Sequence, residues 1–324
     1  MSSSSDSKTI AKELSQLKKA MVFCHVFPDA DAIGSAGGMT LGLIAAGIEA
    51  ELHLAEDVPE RLKGLVAGVP LTDQLPSSDC ALVVVDTANK ARVAVKGDVF
   101  PEKASKVFNI DHHISNPGWG EINLIKGYYP SASCIVLEIL EELGVTLSED
   151  ILNLLYAGLL EDTGSFRFSN ATPIAFESAA RMVGLGASPE KVANLIYFNV
   201  PERVVKLRGI AIPEISKKIE GQIGWLVVTN KMLEQAGAVG GDTEGLVDEV
   251  RALSGVKGSV MIREREGSWK VSLRSKIENL DVNNVAQALG GGGHRAAAGI
   301  TLEGDLEVVE KKVLDGLKKE LAGA

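Results

Sequence analysis

Histidine is scarce in this chain, five residues in 324, and four of the five stand where chemistry could be done. His25-Val-Phe-Pro28-Asp29-Ala-Asp31 puts an imidazole and two carboxylates within seven residues, between an apolar strand-like run and a helical one. Asp86 closes the run Ala-Leu-Val-Val-Val, and Asp111 closes Val-Phe-Asn-Ile and is followed at once by His112 and His113. Glu161-Asp162-Thr-Gly closes a helical stretch. Carboxylates mixed with imidazoles are ligands for divalent cations such as manganese, whereas all-thiolate sets suit zinc. Each segment has a plainer reading on its own. An Asp after a strand is a common turn former or helix cap, and an acidic pair at a helix C-terminus opposes the macrodipole at a cost that either a cation or solvent relieves. Three strand ends carrying ligand-type residues nevertheless converge if the strands are parallel neighbours, because ligands bind beyond the carboxyl ends of such strands. Turn chemistry does not explain that coincidence. His53, alone in a strand-like segment, reads as structural.

The elements that must position these residues alternate between two periodicities. Short β-branched runs at 20–26, 50–54, 81–85 and 106–110 read as buried strands. Helical patterns occupy 34–46, 131–143, 149–160 and 173–183, with Gly47, Gly144 and Gly184 as stop signals. Strands alternating with helices predict an α/β domain with a mostly parallel sheet covered on both faces. A charged helical connector follows at 199–220. A smaller α/β unit comes next, with a strand at 223–229, a helix at 243–253, two strands at 259–264 and 269–274 around Glu266-Gly267-Ser268, and helices at 282–289 and 306–321. The expected organisation is therefore 1–198, a linker at 199–220, and 221–324. The Ser-rich start, residues 1–8, reads as a frayed tail.

The second unit carries Gly290-Gly-Gly-Gly293-His294-Arg295. Four glycines alone would be a hinge. With His-Arg behind them they read as backbone that lets amide N–H groups approach a phosphate, with Arg274 and Arg295 gripping its oxygens and His294 on the phosphate or a base. Trp225 and Trp269, in strand-like runs, are expected to pack in the core.

Taken together, these segments resemble the DHH phosphoesterase superfamily, named for Asp111-His112-His113. The resemblance includes His25-x-x-Pro-Asp29-x-Asp31-x-x-Gly34-Ser35, Asp86, Asp162-Thr-Gly, and a C-terminal DHHA1 pattern of Ser272-Leu-Arg274-Ser275-Lys276, Asp281-Val-Asn283 and the Gly-rich run to Gly299. It departs at Ala30, where many relatives have Gly. What it implies is two divalent cations, manganese with magnesium as the alternative. His25 and Asp29 would hold one, Asp31, His112 and Asp162 the other, and Asp86 would bridge them. Asp111 would fix a ligand imidazole, and His113 would face the scissile phosphate. Arg274, Ser275, Gly291, Gly292, Gly293, His294 and Arg295 would bind substrate, with the active site in the cleft between the two domains.

Within the superfamily the short layout is similar to nanoRNA-degrading members that cleave oligoribonucleotides to mononucleotides and remove the 3′-phosphate of adenosine 3′,5′-bisphosphate. The alternatives are a cyclic di-AMP or linear dinucleotide phosphodiesterase, a family II inorganic pyrophosphatase (whose basic Ser-Arg-Lys-Lys-Gln signature is missing here), and a non-catalytic nucleotide sensor. The resemblance also implies a homodimer.

Composition sets the outer limits. With 33 Lys+Arg against 43 Asp+Glu the formal charge is −10, which argues against coating long or duplex nucleic acid through a basic face. It leaves room for short single-stranded RNA, dinucleotides or a nucleotide bisphosphate met by local cations. Residues 1–200 hold 15 basic and 25 acidic residues, net −10, while 201–324 hold 18 of each. No run reaches the ~20 apolar residues of a membrane span, and three scattered cysteines do not form a disulfide framework. A reducing cytoplasm is the expected location.

Overall fold

The computed structural model describes residues 5–54, 58–93, 95, 100, 104–215 and 219–323, apart from the side chains of residues 219, 220 and 294. They fall into two compact units, residues 1–199 and 200–324.

The first unit is built on six parallel strands, β1 (Lys19–Phe23), β2 (Glu49–His53), β3 (Leu71–Thr72), β4 (Ala81–Val85), β5 (Lys106–Asp111) and β6 (Ile122–Ile125), in the order β3-β2-β1-β4-β5-β6. Every residue of β4 is buried, as a central parallel strand requires. The sequence patterns locate β1, β2, β4 and β5, and the parallel sheet they predict is present. Helices α1 (Ser7–Leu14), α2 (Ala30–Ala45), α3 (Ala132–Glu142), α4 (Glu149–Asp162), α5 (Pro173–Leu185) and α6 (Pro189–Tyr197) complete the unit.

One face of the sheet (Val22, Val83, Val85) packs into a large core with residues of all six helices. The other face (Met21, Phe23, Leu82, Val84) is closed by a small cluster from non-helical chain, including Val93, Val95 and Trp119. Helices therefore cover one face only among the described residues, because β4 to β6 are joined without a long helix.

Three of the boundaries that differ from the sequence patterns have a clear local reason. Helix α2 starts at Ala30 rather than Gly34, because the Asp29 carboxylate caps it by accepting the Ala32 N–H at 3.0 Å. Helix α5 runs through Gly184 and stops at Gly186, whose φ of 121° ends it. Ser7 and Lys8 are helical, not frayed, because Asp6 caps α1 through the Thr9 N–H at 2.7 Å and Ile10 and Leu14 bury against the core.

The second unit comprises α7 (Glu202–Ile215), β7 (Ile219–Glu220), β8 (Ile223–Val228), α8 (Asn230–Ala236), α9 (Leu246–Ala252), β9 (Gly258–Arg265), β10 (Ser268–Ser275), α10 (Val282–Ala288), β11 (Gly292–His294), β12 (Ala297–Leu302) and α11 (Leu306–Ala322). Its mixed sheet runs β11-β12-β10-β9-β8-β7, with β8 and β9 parallel and the other pairs antiparallel. Two cores lie in this unit, one with α10 and α11, the other with α7, α8 and α9. Helix α7, expected as a connector, contributes Leu207, Ala211 and Ile215 to the second of these. Trp225 and Trp269 pack against the first.

Candidate metal centre

The strand order of the first sheet reverses between β1 and β4, the place where open α/β sheets leave a crevice. The motif residues gather there. His25 follows β1, Asp86 directly follows β4, Asp111 ends β5, and His112 and His113 come next. Asp29 and Asp31 stand at the start of α2, and Asp162 ends α4. Helices α2 and α4 approach so closely that two positions need glycine. A methyl at Gly34 would lie 2.3 Å from the Leu154 carbonyl oxygen, and one at Gly158 would lie 2.5 Å from Asp31 Oδ1. This approach brings Asp31 and Asp162 to the same spot.

The donor atoms form three overlapping clusters around Asp86 and His112. His25 Nε2 is 3.5 Å from Asp86 Oδ2 and 3.9 Å from Asp29 Oδ1. His112 Nε2 is 3.4 Å from Asp86 Oδ1, 3.5 Å from Asp162 Oδ2 and 3.9 Å from Asp31 Oδ2. The donors of His25, Asp29 and Asp86 lie within 4.8 Å of one another, as do those of Asp31, His112 and Asp162, and those of Asp86, Asp111, His112 and His113. Asp86 reaches both imidazoles from a left-handed backbone conformation, φ 50°, which Asp tolerates better than most residues and which is typical of strain held at a site. Both rings are oriented from behind: His25 Nδ1 sits 2.9 Å from the Val26 carbonyl and His112 Nδ1 3.3 Å from that of Tyr129. A carbonyl only accepts, so each Nδ1 carries a proton, and Nε2 is the ring atom turned toward the carboxylates.

Without a cation, the buried groups of this centre are moved away from their ordinary pKa values. Burial, then the charge of Asp86, pushes the Asp31 carboxyl up to about 7, and burial raises Asp162 well above the usual range. Burial pulls the His25 imidazole down, but the hydrogen bond and charge of Asp86 and the charge of Asp29 outweigh it and lift it to about 9. His112 is raised by the same balance, with Asp86 and Asp162 opposing burial. Burial works against the Asp86 carboxylate, yet His112 and His25 hold it well below the normal carboxylate range. Asp86 Oδ1 and Asp162 Oδ2 are buried with no hydrogen-bond partner, an arrangement that is costly unless something else satisfies them. Divalent cations fit these residues: they would satisfy both oxygens and replace the protons.

A pH dependence follows from these directions. Binding a cation requires deprotonated ligands, and Asp31 near 7 and His25 near 9 hold protons at mildly acidic pH. Affinity for Mn²⁺ is expected to rise from pH 6 to pH 8, with protons released on binding, measured by calorimetry in buffers of different ionisation heat. A pH-independent affinity with no proton release would contradict this electrostatic account.

Asp111 behaves differently. It is fully buried, and three donors already occupy it: the His112 N–H at 2.8 Å, His113 Nδ1 at 2.6 Å and Asn116 Nδ2 at 2.6 Å. The ring it holds is His113, because the His112 ring is turned to Tyr129 instead. His53 is buried in β2, with Nδ1 3.0 Å from the Gln74 carbonyl and its ring against Phe23, a structural role.

In the second unit, Arg274 lies half-buried on β10, donating to the Leu273 carbonyl at 3.0 Å, and burial lowers its pKa. Arg295 is exposed and donates to the Glu278 carbonyl. The Ser275 hydroxyl, expected to meet substrate, donates to the Ile277 carbonyl at 2.7 Å, so its proton is committed to a local turn. The glycine run is a β-hairpin rather than an open loop. The Gly291 N–H donates to the Ala286 carbonyl at 2.8 Å, while Gly292 and Gly293 pair with Gly299 and Ala298. A methyl at Gly291 would lie 2.2 Å from the Gly299 oxygen and one at Gly293 2.5 Å from the Ala297 oxygen, so these glycines serve close backbone approach within the chain. The His294 side chain lies outside the described residues. Asn116, Tyr129 and Ser133 also act on the site, and their residue types alone gave no signal for it.

The parallel sheet, its switch point and this donor set suit a phosphoester hydrolase, and the chain belongs to the DHH family. It matches the DHH family, N-terminal domain, over residues 19–159 and the DHHA1 domain over residues 225–322. It is 35% identical over 305 residues to the bifunctional oligoribonuclease and PAP phosphatase of Thermus thermophilus, covering 93% of this chain and 89% of that protein. The protein of the same name from Bacillus subtilis is 28% identical over 281 residues, covering 86% and 87%. An exopolyphosphatase-related protein from Bacteroides fragilis shares the fold, with a TM-score of 0.87 over 97% of this chain and 96% of that one at 21% identity. The protein is thus a phosphodiesterase or phosphatase. Among the described residues no helix is long and apolar enough to cross a membrane.

Proposed function

We propose that the protein is a manganese-dependent phosphoesterase that degrades short oligoribonucleotides to mononucleotides and removes the 3′-phosphate of adenosine 3′,5′-bisphosphate. The observation that carries this reading is the pair of donor clusters with Asp86 between them, 3.5 Å from His25 and 3.4 Å from His112, and one buried, unsatisfied oxygen on Asp86 and one on Asp162. The choice of substrates is supported by the two relatives that carry those activities in their names.

His25 and Asp29 would hold one cation and Asp31, His112 and Asp162 the other, with Asp86 between them. When bound, two such cations supply a deprotonated water near neutral pH and neutralise charge on the phosphoryl group. The His113 ring, fixed through Nδ1 by Asp111, would hold or deliver a proton at Nε2 toward the leaving oxygen. Arg274 and Arg295 would bind a substrate phosphate other than the one being cleaved. The three cysteines, all free and buried, suit a reducing cytoplasm.

The test is side-by-side turnover of a diribonucleotide, adenosine 3′,5′-bisphosphate and cyclic di-AMP with Mn²⁺ present. The first two are expected to be hydrolysed faster, and a clear preference for cyclic di-AMP would replace the reading. Arg295→Ala is expected to lower turnover of the diribonucleotide about 10–100-fold, the effect of one charge-assisted hydrogen bond, and to leave bis-p-nitrophenyl phosphate nearly unaffected. An equal fall on both substrates would make the Arg295 contribution structural.

A further inference from the structure

The residues proposed to hold the two cations are not positioned in the same way. His25 and Asp29 are arranged without residues 129–133: His25 Nδ1 meets the carbonyl of the next residue, the Val26 N–H donates to the Arg92 carbonyl at 2.8 Å, Asp29 caps the helix it begins, and the Ala30 N–H donates to the Glu161 carboxylate. Asp31, His112 and Asp162 come from three distant parts of the chain, and one short segment, residues 129–133, bonds directly to the first two and reaches the backbone of the third through Asn170. The Tyr129 carbonyl takes His112 Nδ1 at 3.3 Å. The Ala132 N–H, Ser133 N–H and Ser133 hydroxyl donate to the Asp31 carboxylate at 2.7, 3.0 and 2.6 Å. The Pro130 carbonyl shares the Asn170 amide with the Asp162 carbonyl, both at 3.0 Å.

That segment is itself tied down by a cluster outside the family motifs. Glu138, half-buried on α3, accepts from the Ser7 hydroxyl at 2.8 Å, from Lys126 Nζ and from the Tyr129 hydroxyl. Lys126 Nζ also lies 3.0 Å from Ser7 Oγ and 4.5 Å from the centre of the Tyr129 ring. The Lys126 N–H donates to the Asp111 carbonyl at 2.9 Å, so the cluster grips β5 beside His112 as well. Burial works against the Glu138 carboxylate, but Lys126, Tyr129 and Ser7 together hold its pKa below the usual value, so it remains the charged centre of the cluster. A charge-centred network of this kind restricts its members to one arrangement, and groups that orient metal ligands change affinity when removed.

We propose that Glu138, with Lys126, Tyr129 and Ser7, is a positioning cluster for one cation only, the one that Asp31, His112 and Asp162 would hold. It leaves the cation of His25 and Asp29 unaffected. The inference rests on the two-cation reading above and adds an asymmetry to it: one site is braced by residues 92–93 and Glu161, and the other depends on a cluster that joins α1, the end of β6 and α3.

The experiment titrates the metal-free protein with Mn²⁺, counting free ion by electron paramagnetic resonance and measuring affinities by calorimetry. The wild type is expected to bind two ions. Glu138→Gln keeps the shape and removes the charge. It should weaken one site about 10–100-fold and leave the other within twofold, with the thermal midpoint of the metal-free protein little changed. Tyr129→Phe should weaken the same site, less severely. To identify that site, Glu138→Gln is combined with Asp29→Asn, where the remaining site should weaken, and with Asp162→Asn, where the remaining site should not. Equal weakening of both sites, or of neither, would overturn the proposal. A wild type that binds a single ion would instead overturn the two-cation reading on which it stands.

Discussion

Asp86→Asn is expected to abolish Mn²⁺-dependent hydrolysis, with a loss of about 10³-fold or more in kcat, equivalent to about 4 kcal/mol of activation free energy. Each oxygen of this carboxylate faces a different imidazole, Oδ2 at 3.5 Å from His25 Nε2 and Oδ1 at 3.4 Å from His112 Nε2. A neutral amide would leave both clusters without their common anion. Asn is the informative replacement because position 86 is left-handed, φ 50°, a conformation Asn accepts and Ala resists. The fold should survive: a cooperative thermal transition of the metal-free variant, together with reduced metal content, separates loss of ligands from loss of structure. Normal metal occupancy with near-normal turnover would rule out the bridging position.

How much of this centre was legible in the sequence depended on how far apart in the chain the partners stand. His25, Asp29 and Asp31 lie within seven residues, so their spacing shows them directly. Asp86, Asp111 and His112 could be found because each ends or follows a β-branched run, and parallel strands bring such ends together. What stayed invisible were groups whose partners are more than a hundred residues away, or are backbone atoms. Ser133 acts on Asp31 at a separation of 102 residues, and Ser7 on Glu138 at 131. Tyr129 acts on His112 through its carbonyl, which any residue has.

In the fold, β3 and β6 were missed because two and four residues are too short to show a period. Strands β11 and β12 were hidden by glycine and alanine, which are depleted in strands. Here the glycines permit close approach of one chain segment to another, which residue type alone does not distinguish from approach to a phosphate.

The adjacent histidines provide the sharpest separation of roles. His112 sends Nε2 to within 3.4–3.9 Å of three carboxylates, whereas His113 commits Nδ1 to Asp111 at 2.6 Å, with Asp86 Oδ1 3.5 Å away. The rings stand edge to face, with centroids 4.8 Å apart, so neither can take the place of the other. Asp111 is saturated by three donors, one of them from Asn116 Nδ2, and fixes the His113 tautomer much as a buried carboxylate orients a catalytic imidazole. Proton transfer by such a group contributes about 10²–10⁴-fold to rate. His113→Ala is therefore expected to lose rate on that order while still binding two Mn²⁺ ions, and His112→Ala to lose one ion. Because the two substitutions remove the same side chain from neighbouring positions, comparing their metal content cancels most effects of general destabilisation. Equal metal loss in both would mean that His113 is a ligand. Full metal retention with unchanged kcat in His113→Ala would mean that the proton is handled elsewhere, with the Asp111–Asn116 pair serving only to brace the end of β5.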